Sequence, residues 1–138
     1  VGGRALILVD THVLVWLDEG DPVLGATARE RADQSLQDQE LAVSTISFWE
    51  IAMLRQKGRL GVHRPLEPWR RGLIELGLIE LPLDGQIAVS AGELDGLHGD
   101  PADRIIAATA MHHGAHLMTA DRSLLSWSGP IECIDARA

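Results

Sequence analysis

The sequence predicts an α/β domain built on an open, mostly parallel five-stranded sheet with helices on both faces. Three observations carry this reading. Short apolar runs alternate with longer segments of helical periodicity along the chain. The first run, ALILVD at 5–10, is apolar without alternation and ends in a carboxylate, the pattern of a central strand buried on both sides. No two-residue hairpin signal joins neighbouring runs, so helical crossovers connect the strands. With 138 residues and no repeat, low-complexity stretch or linker, the chain reads as one domain over 1–138.

Taken in order, 11–20 continues from the first strand without a turn signal, and Val13, Leu14 and Leu17 share one face of a short helix. Residues 26–39 form a polar helix with Ala and Leu on one side, and ELAVS at 40–44 is the second strand. Ser44 or Thr45 caps the helix over 45–58, which carries basic residues in its last turn and Gly58 as terminator. A loop with Pro65 leads to a helix over 66–77, where Leu66, Trp69, Leu73 and Leu76 recur at helical spacing. LIELPL at 78–83 is the third strand, and 84–94 a further helix. The helix over 100–114 has Asp100 as N-cap, Pro101 at its first position and Gly114 as stop. AHLMTAD and IECID supply the last two strands. In such sheets ligands bind outside the carboxyl ends of the strands.

Composition narrows the function. Hydrophobic residues are 46% and charged residues 23%, as in ordinary globular domains. No apolar run approaches the ~20 residues of a membrane span, and the apolar stretch in VGGRALILVD is too short for a signal peptide, so a cytoplasmic location is expected. The single Cys133 builds neither a disulfide nor a cysteine zinc site. Net charge is −8, which disfavours an extended basic surface. Yet Arg55, Lys57, Arg59, Arg64, Arg70 and Arg71 fall in one segment with a single acid, Glu67, a candidate basic patch or an ordinary solvated helix end.

Four acids stand where acids are expensive. Asp10 ends the first strand, at the mouth of the sheet, or caps the following helix. Glu50 lies among Ile46, Phe48, Trp49, Ile51, Ala52, Met53 and Leu54 and leaves no free helical face. It therefore needs a cation, a hydrogen-bond network, or an ion pair such as Arg55. Asp103 shares its helix face with Ile106 and Ala110, three residues after Asp100, with Arg104 one helical step away as the available partner. Asp121 follows AHLMTA as Asp10 follows its own strand, with Thr119 and Ser123 nearby, and also reads as a cap. Convergence of all four on one rim suggests a hard-cation site, Mg²⁺ or Mn²⁺. His112, His113 and His116 are split by Gly114 and do not make a zinc pair.

The segments VDTHVLVW, STISFWEIAMLRQKGRL, DPADRIIAATA and LMTADRSL, which carry Asp10, Glu50, Asp103 and Asp121, resemble the PIN-domain ribonucleases almost end to end. Within them the chain is similar to the VapC-type toxins of toxin–antitoxin pairs. The resemblance implies a three-layer α/β/α fold, metal-dependent endoribonuclease activity, a homodimer, and a VapB-type antitoxin that covers the site. It carries the family's acidic quartet onto Asp10, Glu50, Asp103 and Asp121, as catalytic residues and metal ligands. Asp100 matches an additional acid, Thr11, Ser44 and Thr119 are supporting or phosphate contacts, and Arg55, Lys57, Arg59 and Arg64 are the candidate RNA contacts. Residues 1–4 read as an extension. The expected reaction is hydrolysis of an RNA phosphodiester, with Asp10 and Asp103 anchoring the cation and Glu50 orienting water. A phosphoaspartate phosphatase needs a second acid where this chain has His12, and a receiver domain needs a lysine that AHLMTA lacks. A PIN-like module that binds RNA or protein without cutting is the remaining alternative.

Overall fold

The computed structural model describes residues 6–60 and 63–138, so the extension expected at 1–4 lies outside the described residues. The elements are β1 Ile7–Val9, α1 Thr11–Glu19, α2 Ala26–Gln37, β2 Leu41–Ser44, α3 Thr45–Gln56, α4 Leu66–Glu75, β3 Ile79–Leu81, α5 Gly85–Glu93, α6 Pro101–His113, β4 His116–Thr119, α7 Arg122–Ser126 and β5 Cys133–Asp135. The strands form one parallel sheet in the order β3-β2-β1-β4-β5. Helices cover both faces, giving the α/β/α arrangement.

The alternation of side chains along β1 sorts the core. Ile7 and Val9 pack on one face with Val13 and Leu14 of α1, Ala28 and Ala32 of α2, and Trp69 of α4. Leu8 points to the other face, with Ile106, Ala107 and Ala110 of α6 and Leu124 of α7. β1 is thus buried on both sides, as its unbroken apolar run requires. Elements end where local chemistry stops them. Gly58 and Gly114 take positive φ of 69° and 60° just past α3 and α6. β3 is shorter than 78–83 because Pro82 has no N–H to give the ladder.

One correction concerns α3. Its composition suggests a helix buried on every side, but it fully buries only Ser47 and Ile51, while Trp49 stays 53% exposed. Apolar residues on a short helix exceed what one sheet face can cover, and the surplus faces solvent.

The chain leaves β1 outward through β2 and β3, then returns across the sheet to β4 on the other side of β1. The order therefore reverses between β1 and β4. At that switch point the helices following the two strands diverge and open a crevice beyond the strand ends. Asp10 directly follows β1, and Asp121 lies two residues beyond β4.

Candidate metal centre

A cavity of about 260 Å³ opens at this switch point, lined by Asp10, His12, Val13, Trp16, Glu50, Asp100, Asp103, Ala120, Asp121 and Arg137. Five carboxylates reach it from four separate stretches of sequence. A larger apolar groove elsewhere, lined by Arg64, Trp69, Leu73 and Leu76 among others, holds no cluster of acids.

Two of the acids belong to one hydrogen-bonded chain. The Asp121 N–H donates to Thr119 Oγ1 at 3.0 Å, and the Thr119 hydroxyl donates to Asp10 Oδ2 at 2.6 Å. Asp10 Oδ1 also accepts the Thr11 N–H at 2.8 Å. Asp10 is only 8% exposed, and burial pushes its carboxyl up against the opposing pull of Thr119 and Thr11. Asp121 accepts both the Ser123 and Leu124 N–H groups on Oδ1, which starts α7. Capping and cavity lining are therefore not exclusive for this residue: both capping bonds use one oxygen.

Asp100 Oδ1 accepts the Asp103 N–H at 3.2 Å and caps α6. Asp103 is 8% exposed and its carboxyl is pushed up to about 8, first by burial and then by the charges of Asp10, Asp100, Asp121 and Glu50. Glu50 is also raised, by burial first, against the pull of the Thr11 side chain. It forms no ion pair with Arg55, whose Nη1 donates instead to the Arg64 carbonyl at 2.8 Å. Arg104 is no counter-ion either. Its guanidinium donates to the carbonyls of Ala91 at 3.0 Å, Leu94 at 2.8 Å and Leu97 at 2.9 Å, tying the loop between α5 and α6 to α6.

Of the other residues singled out in the sequence, Thr11, Ser44 and Thr119 all stand outside the cavity lining, and Thr119 links Asp10 to Asp121 from behind it. The Thr11 hydroxyl donates to Ser47 Oγ at 2.9 Å, and Ser44 Oγ accepts the Ile46 N–H at the start of α3. The basic segment is partly neutralised from within. Arg64 lies 3.7 Å from Asp18, Arg70 pairs with Glu67 and Glu80, and Arg71 pairs with Glu67. Arg55, Lys57 and Arg59 are exposed at the carboxyl end of α3, with Arg55 about 7.5 Å of helical rise beyond Glu50.

Sequence reasoning missed His98. Its Nε2 lies 3.3 Å from Asp103 Oδ2, and ligand atoms of His98, Asp103 and Asp121 all fall within 4.8 Å of one another. Its position two residues before the cap Asp100 carried no signal of that contact. Arg137 was also missed. Its Nη1 donates to the Ala120 carbonyl at 3.0 Å, and its place beside the cavity comes from the packing of the chain's end between β4 and α2.

The donor chemistry fits a divalent cation. Clustered carboxylates at partial burial raise one another's pKa, and a hard cation is the partner that reverses this.

The chain belongs to the PIN domain family, whose model matches residues 7–127. Within that family it strongly resembles the VapC toxins. It is 34% identical over 125 residues to ribonuclease VapC22 of Mycobacterium tuberculosis, covering 90% of this chain and 93% of that protein. The fold is shared with DNA-bound VapBC from Salmonella typhimurium, at 21% identity and a TM-score of 0.70 over 96% of this chain and 98% of that one. It is shared too with a toxin–antitoxin complex from Klebsiella pneumoniae, at 20% identity and a TM-score of 0.63 over 94% and 97% of the two chains.

Proposed function

We propose that this chain is a Mg²⁺- or Mn²⁺-dependent endoribonuclease, the toxin of a toxin–antitoxin pair, with Asp10, Glu50, Asp103 and Asp121 as its metal-binding and catalytic acids. The observation that carries this is the meeting of those four carboxylates, with Asp100, in one cavity at the switch point of the sheet. Asp10, Asp103 and Asp121 would hold the cation, with Glu50 at the cavity wall. A bound divalent cation supplies a Lewis acid that offsets phosphate charge and acidifies water.

The residues of the chain do the rest. Thr119 donates to Asp10 and keeps its Oδ2 in a fixed position, and the Thr11 N–H does the same for Oδ1. Asp121 is held by the first turn of α7, leaving Oδ2 outside the capping bonds. Glu50, half-buried and raised in pKa, would orient a water in the cavity. Arg55, Lys57 and Arg59 would track the RNA backbone along the end of α3.

The VapBC complexes that share this fold support a VapB-type antitoxin as protein partner, and the same reading gives the toxin a homodimeric assembly. A cytoplasmic site of action belongs to the same reading, and no described helix is long and apolar enough to cross a membrane.

The test is cleavage of a mixed pool of structured RNAs by the antitoxin-free protein in Mg²⁺ or Mn²⁺, with EDTA and Asp10→Asn as controls. Discrete products that need metal and vanish in the variant are expected. Metal-bound protein that binds but never cuts would replace the nuclease with a silent RNA- or protein-binding module.

A further inference from the structure

The histidine beside the acid cluster has two ring nitrogens in defined surroundings. Nδ1 of His98 accepts the Asp100 N–H at 3.2 Å. A neutral imidazole carries one hydrogen, and with Nδ1 acting as acceptor that hydrogen belongs to Nε2. Nε2 is the atom that stands 3.3 Å from Asp103 Oδ2. A nitrogen bearing hydrogen has no lone pair to give a metal.

From this geometry we infer that His98 is a positioning residue for Asp103, its Nε2 facing one carboxylate oxygen at 3.3 Å, and not itself a member of the ligand set. The inference rests on the metal-dependent reading above and assigns a role within it.

The surroundings of the three acids explain why such a donor is needed. Asp10 receives hydrogen bonds from Thr11 and Thr119, and Asp121 from Ser123 and Leu124. For the Asp103 carboxylate, His98 is the donor group in reach among the described residues. Asp100 holds both ends of the arrangement, since its N–H goes to His98 Nδ1 and its Oδ1 accepts the Asp103 N–H. Arg104 then pins the same loop through the Leu97 carbonyl, so the imidazole is mounted on backbone that α6 itself fixes. Histidines that hold a carboxylate in this way set how readily it accepts a cation, and removal of such a partner typically weakens metal binding by about 10- to 100-fold.

The experiment titrates Mn²⁺ and Ni²⁺ by calorimetry into the full chain, as wild type, His98→Ala, His98→Gln and Asp103→Asn, with thermal unfolding to show that each is folded. His98→Ala should weaken both metals by about tenfold and to the same degree. His98→Gln places an amide N–H as many bonds from Cα as Nε2, and should return Mn²⁺ affinity to within about threefold of wild type. Wild-type affinity in His98→Ala overturns the proposal, as does a His98→Gln variant no better than His98→Ala. A weakening for Ni²⁺ that exceeds the weakening for Mn²⁺ by more than tenfold also overturns it, because nickel favours an imidazole ligand and that pattern makes His98 a direct ligand. Failure of the metal-dependent reading looks different: the wild type itself then takes up no Mn²⁺.

Discussion

Asp103→Asn should make the metal-free protein more stable while disabling it. The Asp103 carboxyl is pushed up to about 8 from an ordinary 3.8 by burial and by Asp10, Asp100, Asp121 and Glu50. The folded state therefore holds a proton that the unfolded chain has released between about pH 4 and pH 8. Its contribution to stability is complete below the unfolded pKa and is lost as pH rises through the folded one. A shift of that size sets a ceiling of about 6 kcal/mol. The cavity opens to water, which screens these charges, so the part recovered at this single position is about 2 kcal/mol. Asparagine keeps the shape and removes the charge. At pH 8 without metal, the variant should melt roughly 5–10 °C above wild type, and the gap should close toward pH 4. Adding Mn²⁺ should raise the wild-type melting temperature much more than that of the variant. Calorimetric melts from pH 4 to pH 9, with EDTA and with Mn²⁺, measure both effects. A variant less stable than wild type at pH 8, or a gap that does not change with pH, would refute mutual repulsion and burial as the forces acting on the cluster.

Three further outcomes rest on individual side chains. Thr119→Val removes the donor to Asp10 and the acceptor of the Asp121 N–H; urea unfolding should show destabilisation of about 1–3 kcal/mol, and Mn²⁺ titration about a tenfold weaker site. Gly25→Ala would drive a Cβ into the backbone of Arg137 and Ala138; that segment must shift, and faster hydrogen exchange at the amides of residues 25 and 27, which donate to the Ala136 and Ala138 carbonyls, should report it. Replacing Arg55, Lys57 and Arg59 with Gln should lower the salt dependence of RNA binding, measured by anisotropy on Asp10→Asn protein, by about 0.7 in log–log slope for each phosphate these side chains neutralise. Arg64, already 3.7 Å from Asp18, should contribute less.

The fold was legible where one physical demand dominated. β1 had to be central because no residue between Ile7 and Val9 tolerates solvent, and α6 was framed by its own cap, Pro101 and Gly114. Asp10 and Asp121 were legible as residues beyond strand ends, and their meeting followed once the sheet order placed β1 beside β4. His98 was not legible, because its contact with Asp103 depends on a turn conformation that no periodicity encodes. Arg104 misled for a related reason: Asp103 precedes it directly in sequence, but its guanidinium turns to the carbonyls at the end of α5. The apolar composition of α3 overstated its burial, since sequence shows how many residues prefer the core and not how much sheet is there to cover them.

Anomalous diffraction of manganese in crystals of the wild-type protein grown with Mn²⁺ would test the metal centre at its root. A peak is expected about 2.2 Å from carboxylate oxygens of Asp10, Asp103 and Asp121, with His98 Nε2 against Asp103 and outside the ligand set. Manganese absent from this cavity at saturating concentration would contradict the assignment of these acids as metal ligands.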